Sequence, residues 1–266
     1  MISVIVPTRN RAAELERQLA ALEQQRFDGA WEVIVVDNGS SDDTVSVAQR
    51  WADRLPLRVV DGSDRVGASA ARNRGAAMAS GQTLLFVDDD DVVEEGWLSS
   101  MADGDGDLLA GAVRSPGRQI QTPDTYFFLP YALGCNMGVG RDTFENIGGF
   151  DERLATGEDV DFSWRAQLSG WKFAQVPDAC VTISPRTTNS GRFRQYAAYA
   201  NGEAVLYRRY RCFGLRRSWK RLFRRVGWMI RHLPSMRTHA WICSAGTLYG
   251  WAQGSIQQRV LYFGGT

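Results

Sequence analysis

The chain has 266 residues, 44% hydrophobic and 23% charged, with a net charge of +1. That length supports one sizeable core with an appendage, and near-neutrality leaves bulk charge with nothing to say about partners. No stretch approaches the roughly 18 apolar residues of a membrane span, and Ile2-Ser3-Val4-Ile5-Val6, lacking a basic leader, reads as a first strand rather than a signal peptide.

Strand and helix patterns alternate through the first half. Residues 2–6 form a strand, and 14–25 carry helical spacing through Leu15, Leu19 and Leu22. A second strand is expected over 31–36, a helix over 44–51 and a third strand over 57–60. A small, alanine-rich helix over 69–79 suits close packing on a sheet, and 82–87 is the fourth strand. Strands separated by helices imply parallel pairing with right-handed crossovers, hence a nucleotide-type α/β fold. Beyond Trp97 the pattern loosens. It predicts a strand over 108–113, a Pro- and aromatic-bearing loop region over 115–130, a short strand over 135–139 and a helix over 141–147. A Gly148-Gly149-Phe150-Asp151 turn then precedes a helix over 160–168 that opens with acids. One main domain is expected over 1–205 and a basic helical extension over 206–266.

The fourth strand ends abruptly in Asp88-Asp89-Asp90-Asp91. Strand ends of open α/β sheets face the crevice where ligands bind. Four neighbouring carboxylates repel, raise one another's pKa and resist full ionisation unless a cation neutralises them. A hard divalent metal carrying a phosphorylated ligand answers that need; a solvated acidic turn is the bland alternative. Two more strand ends carry polar groups, Pro7-Thr8-Arg9-Asn10 and Asp37-Asn38-Gly39-Ser40-Ser41-Asp42-Asp43-Thr44. Turn formation by Asn38-Gly39 and capping by Ser41 or Asp42 explain the second segment, except for Asp37 at the end of a buried strand. The segment from Gly67 to Gly75 opens a helix whose amides, with Arg72, could hold phosphate.

In their joint order these segments resemble the family 2 glycosyltransferases, together with Gly148-Gly149-Phe150-Asp151-Glu152 and Gly157-Glu158-Asp159-Val160-Asp161-Phe162-Ser163-Trp164-Arg165. The match spans residues 2–165. The resemblance implies a GT-A fold, a Rossmann-like and mostly parallel sheet flanked by helices, with the C-terminal helical extension appended. It also implies an inverting, metal-dependent transfer of sugar from a nucleotide-diphosphate donor, most commonly a UDP-sugar, to a hydroxyl of a glycan or lipid-linked acceptor. Pro7, Thr8 and Asp37 would line the nucleoside pocket with Arg72 beside it, and Asn10 belongs to the same donor-binding set. Asp88 and Asp90 match the D-x-D signature: Asp90, with Asp88, would ligate Mg2+ or Mn2+, and Asp88 or Asp89 would touch ribose. Asp91 reads as a turn or helix-start acid. Asp159 falls on the position of the catalytic base.

One departure stands out. Many members carry a His after this helix, whereas Cys180-Val181-Thr182-Ile183-Ser184-Pro185-Arg186 has none; Ser184 or Arg186 are the substitutes at hand. Two rival readings remain. Leu84 to Val92 fits the D-x-D-x-V motif of a haloacid-dehalogenase-like phosphatase, with Asp88 as nucleophile and Asp90 as acid/base. Against it, that motif normally occupies the first strand, and the only lysines, Lys172 and Lys220, follow the second acidic cluster. A non-catalytic nucleotide- or glycan-binding scaffold would make Asp159 dispensable.

The four cysteines, at 135, 180, 212 and 243, are too widely spaced for a C-x-x-C motif and are expected as free thiols in a reducing compartment. Past Glu203 no acid occurs. Helical geometry gathers Leu215, Trp219, Leu222, Phe223, Val226, Met229, Ile230 and Leu233 on one face and Arg216, Arg217, Lys220, Arg221, Arg224, Arg225 and Arg231 on the other. Such a helix either covers the main domain or lies on an anionic membrane surface. Nucleic acid finds no other support. The expected location is cytoplasmic, on the inner face of the cell membrane if the helix binds it. His232 and His239 are expected to be structural or solvent-exposed.

Overall fold

The structure, a computed structural model, describes residues 1–115, 120–121, 128–184, 188–233 and 238–265. It divides into two units: Met1–Asp124 with Pro130–Glu152 and Glu158–Ser184, and Thr125–Leu129 with Arg153–Gly157 and Pro185–Thr266.

The first unit is built on one eight-stranded sheet in the order β3-β2-β1-β4-β7-β6-β8-β5. Its strands are β1 (Ile2–Thr8), β2 (Trp31–Asp37), β3 (Leu57–Asp61), β4 (Thr83–Val87), β5 (Val92–Val93), β6 (Leu108–Arg114), β7 (Asn136–Gly140) and β8 (Phe173–Thr182). The run from β3 to β4 is parallel, β7 is antiparallel to both neighbours, β6 and β8 are parallel, and β5 closes the edge antiparallel to β8. Helices α1 (Ala12–Glu23), α2 (Thr44–Arg50), α3 (Ala68–Met78), α4 (Trp97–Ala102), α5 (Arg141–Ile147) and α6 (Glu158–Leu168) accompany it.

Unbroken apolar runs make β1 and β2 central. All of β1 and residues 33–36 of β2 are buried, as strands covered on both faces require. Successive residues serve opposite layers: Val4 and Val6 join Leu15, Leu19 and Leu22 of α1, whereas Ile5 joins Phe86, Phe144, Phe150 and Phe162. The small residues of α3 do what their size suggests. A Cβ at Gly75 would run into Ile5 and Val36, so the helix lies closer to the sheet than any other residue there would permit. Because β1 lies between β2 and β4, the winding reverses at the β1/β4 boundary, the switch point beside which open α/β sheets place their ligands.

The long strand β8 escapes sequence patterning for a physical reason. Pro177 and Asp178 interrupt it, and the pairing with β6 jumps from Gly111↔Val176 to Ala112↔Cys180, so the interruption is absorbed as a bulge.

The second unit holds α7 (Asn189–Tyr210), a 3₁₀ turn (Arg211–Phe213), α8 (Trp219–Arg231) and α9 (His239–Gln258). The boundary expected at 205 falls inside α7, which belongs with the tail because it packs along α9. Gly246, Gly250 and Gly254 recur every fourth residue; a Cβ at Gly250 would strike the Ala197 carbonyl and Ala200, and one at Gly254 would meet Ala204 at 2.8 Å. Buried Glu203 accepts hydrogen bonds from Trp251 Nε1 at 2.8 Å and the Tyr262 hydroxyl at 3.1 Å.

The single apolar face expected over 215–233 is divided. Leu215 is buried ahead of the helix, and Met229 is buried within it. Leu222 packs on the α7–α9 cluster, and Arg225 lies 5.3 Å from the Trp251 ring and donates to Thr247 Oγ1 at 3.2 Å. Trp219, Phe223 and Ile230 stay exposed. His232 stacks on Trp228, 4.5 Å between ring centres, a structural role as expected.

Candidate active site

Three strand ends and the start of α6 supply the polar groups of the first unit. Thr8, at the end of β1, is buried and donates through Oγ1 to Asp89 Oδ2 at 2.7 Å, bridging the β1/β4 switch point. At the end of β2, Asp37 accepts from the Ser40 amide through both oxygens, at 3.1 and 3.2 Å. Its neighbour Asn38 clamps the following loop, donating to the Gly62 and Arg65 carbonyls and accepting from the Gly67 amide. Asn10 adopts a left-handed φ of 53° and accepts from the Ser41 amide at 2.7 Å, tying the first two strand-end loops together. Pro7 is buried within β1, opposite Val36.

Arg72, on the first turns of α3, is the hub of the site. Only 4% exposed, it donates to Asp88 Oδ1 at 2.6 Å and to Glu158 Oε1 at 3.0 Å. One guanidinium thereby joins the aspartate run to the start of α6. Its Nε finds no hydrogen-bond partner among the described residues. Burial opposes the charge, but the Asp88 and Glu158 carboxylates more than compensate, and its pKa is raised.

Asp159 accepts from the Gly134 amide at 3.1 Å and from its neighbour Val160 at 2.8 Å. Burial pushes its pKa above the usual aspartate range even though these amides and Arg72 favour the anion. Glu158 is raised as well, by burial and then by the Asp159 charge. Four phenylalanines set these distances. Phe86, two residues before Asp88, packs edge-on to Phe150 at 5.2 Å, and Phe150 lies 5.0 Å from Phe162, three residues after Asp159; Phe144 completes the cluster. Asp161 is structural. Fully buried, it pairs at 2.8 Å with Arg165, which in turn donates to the Ile147 and Gly149 carbonyls.

The members of the aspartate run separate into distinct environments. Asp90 is ion-paired with Arg11 at 3.1 Å. Asp89 is pushed up to about 6, mainly by burial and with repulsion from Asp90 and Asp88. Asp91 is buried, accepts from the Ser184 amide at 3.1 Å and is pushed up to about 7 by burial and by Asp88. Carboxylate oxygens of Asp88 and Asp91 and the Cys135 sulfur lie within 4.8 Å of one another. Burial pushes the Cys135 thiol well up. The Asp88 and Asp91 carboxylates offer hard oxygen donors of the kind Mg2+ or Mn2+ takes.

A folded-state proton on Asp91 has a consequence for stability. Its pKa is about 7 folded against an ordinary 3.8, so between these values the folded state binds more protons than the unfolded one. Stability from this group is present below about pH 4 and is lost as pH rises through 7. Removing the buried charge with Asp91→Asn is expected to stabilise the metal-free protein at pH 8 by up to about 4 kcal/mol, with no gain at pH 4. Melting curves of both proteins at the two pH values check this.

Residues 74–253, two-thirds of the chain, match the model of glycosyl transferase family group 2, and residues 3–115 match that of glycosyl transferase family 2. The chain belongs to the family 2 glycosyltransferases. Among curated relatives, the glycosyltransferase AglE of Haloferax volcanii is 31% identical over 198 residues, covering 66% of this chain and 64% of that protein. A GalNAc(5)-diNAcBac-PP-undecaprenol beta-1,3-glucosyltransferase of Campylobacter jejuni is 39% identical over 103 residues, 38% of this chain and 33% of that protein. The chain thus spans less than two-thirds of either relative. The solved mannosyltransferase of Pyrobaculum calidifontis, in complex with GDP-Man and Mn2+, superposes with a TM-score of 0.63 at 22% identity, over 95% of this chain and 75% of that one. These matches establish the GT-A-type fold, and family membership disfavours the haloacid-dehalogenase reading.

Against that family pattern, the structure brings Thr8, Arg72, Asp88, Asp89 and Asp159 into one connected neighbourhood, whereas Asn10 and Asp37 serve the loops beside it. Ser184 does reach the aspartate run, through its amide; Arg186 lies outside the described residues. Sequence reading missed the burial of Asp91, the approach of Cys135 and the Gly134 amide on Asp159. The one signal on offer is the position of Gly134 and Cys135 at the start of the strand expected over 135–139. The phenylalanine cluster was available in principle, since Phe86, Phe150 and Phe162 all lie inside the recognised motifs.

Proposed function

We propose that this chain is an inverting glycosyltransferase that moves a sugar from a nucleotide-diphosphate donor to a hydroxyl of a glycan or lipid-linked acceptor during cell-surface glycan or polysaccharide synthesis. The observation that carries the reading is the Arg72 bridge, which ties the aspartate run to the α6 start where Asp159 sits with a raised pKa.

In this reading Pro7, Thr8, Asn10 and Asp37 hold the nucleoside, with Arg72, Asp88 and Asp89 near ribose and diphosphate. Asp88 and Asp90, with Asp91 close beside Asp88, would hold Mg2+ or Mn2+, which supplies charge stabilisation to the departing diphosphate. Asp159 takes the proton of the acceptor hydroxyl as that oxygen forms a bond to the anomeric carbon. The bond from that carbon to the diphosphate breaks on the opposite face, its electron pair leaves with the nucleotide, and one displacement inverts the configuration. A UDP-sugar is the first donor to test. The Campylobacter relative, named for an undecaprenol-linked substrate, supports a lipid-linked acceptor. In this reading the enzyme works in the cytoplasm, at the inner face of the membrane where such an acceptor is lipid-anchored.

Nucleotide release from a panel of nucleotide sugars with Mn2+ tests the reading. Release of nucleoside diphosphate from one donor class, stimulated by acceptor, is the expected result. A scaffold would bind a donor and release nothing from any of them.

A further inference from the structure

We infer that α8 lies on an anionic lipid bilayer through a face that the fold leaves uncovered, while its other face remains docked on α9. Among the described residues no helix is long and apolar enough to cross a membrane. Leu222, Arg225 and Met229, spaced three and four apart, form the docked side. Phe223 and Ile230, seven apart, form a second stripe that Leu233 extends just past the helix end, with exposures of 66, 62 and 48%. Trp219 begins it, stacked on Phe223 and seated on Phe263 at 3.9 Å between ring centres, with about half its surface still open. Large apolar side chains aligned along one exposed face gain from any apolar phase that covers them.

Charge selects the occupant. Lys220, Arg224 and Arg231 lie next to the stripe on the side away from α9, and all three are exposed. Residues 204–266 contain twelve Lys and Arg and no acid. A second copy of this surface would set like charges against one another. A nucleic acid would take the basic flank and leave the apolar stripe in water. A bilayer with anionic headgroups satisfies both, receiving aromatic and aliphatic side chains at the acyl boundary and cations at the phosphates. Docking by the first face leaves the second free, so membrane binding requires no rearrangement of α7, α8 and α9.

Co-sedimentation of the full chain with phosphatidylglycerol-containing phosphatidylcholine vesicles, alongside pure phosphatidylcholine vesicles, tests the inference. Strong binding is expected only to the anionic vesicles, weakening as salt rises. Phe223→Asp/Ile230→Asp is expected to lower partitioning about a hundredfold and Lys220→Gln/Arg224→Gln/Arg231→Gln to lower it by a similar factor. Both sets alter exposed positions, so unchanged melting temperatures accompany the expected result. The inference is overturned if the wild type fails to sediment at low ionic strength or binds neutral vesicles equally well. Binding unaffected by the Phe223/Ile230 pair, or replaced by concentration-dependent self-association that this pair abolishes, overturns it as well.

Discussion

Asp159→Asn is expected to retain nucleotide-sugar binding and to lower turnover by about 10²–10⁴-fold, the usual contribution of a positioned general base. The amide keeps the size of the carboxylate and can still accept from Val160, but it has no lone pair basic enough to take the acceptor proton. The effect belongs in kcat, because in the proposed reading the donor is held by groups on β1, β2, α3 and the aspartate run rather than by Asp159. Calorimetric titration with donor checks binding, and release of nucleoside diphosphate checks turnover. The pH profile supplies a separate reading. Since burial raises the pKa of Asp159, the acidic limb of the wild-type kcat profile is displaced to higher pH than an ordinary aspartate would give, and activity falls as pH drops through that limb. Retained turnover in the variant would remove Asp159 from the chemistry.

Arg72→Met carries the largest expected cost in stability, about 3–5 kcal/mol, the range for breaking a buried ion pair by deleting one partner. The substitution leaves Asp88 and Glu158 facing one another without their shared cation, and Glu158 already feels Asp159. Arg72→Lys recovers only part of the loss, because an ammonium on a flexible stem cannot serve both carboxylates as a planar fork does. Urea unfolding at pH 7 measures both. A methionine variant that unfolds at the wild-type midpoint would show that the bridge contributes little to holding the site.

The alternating half of the fold was readable because its strands are unbroken apolar runs ending in polar residues, with β1, β2 and β4 each marked at its carboxyl end. Helix α5 matches its expected span without adjustment. Legibility failed where non-local packing decides structure. Pro177 disguises β8 by lying in a bulge, and α9 escapes patterning because it buries glycine backbone against α7 instead of an apolar stripe against a sheet. In the site, motif order selected Arg72, Asp88 and Asp159, but nothing local reveals that the Arg72 guanidinium joins Asp88, 16 residues on, to Glu158, 86 residues on. The aspartate run shows the same limit. Its four identical side chains differ only in what the fold sets beside them: Arg72 on Asp88, Thr8 on Asp89, Arg11 on Asp90 and the Ser184 amide on Asp91.

The central claim, a single displacement assisted by Asp159, is tested most directly by the anomeric configuration of the glycoside formed from a defined nucleotide sugar and acceptor, read by proton NMR. The expected configuration is opposite to that of the donor. A product with the donor's own configuration would contradict it, since retention calls for a different course than one attack from the face opposite the nucleotide.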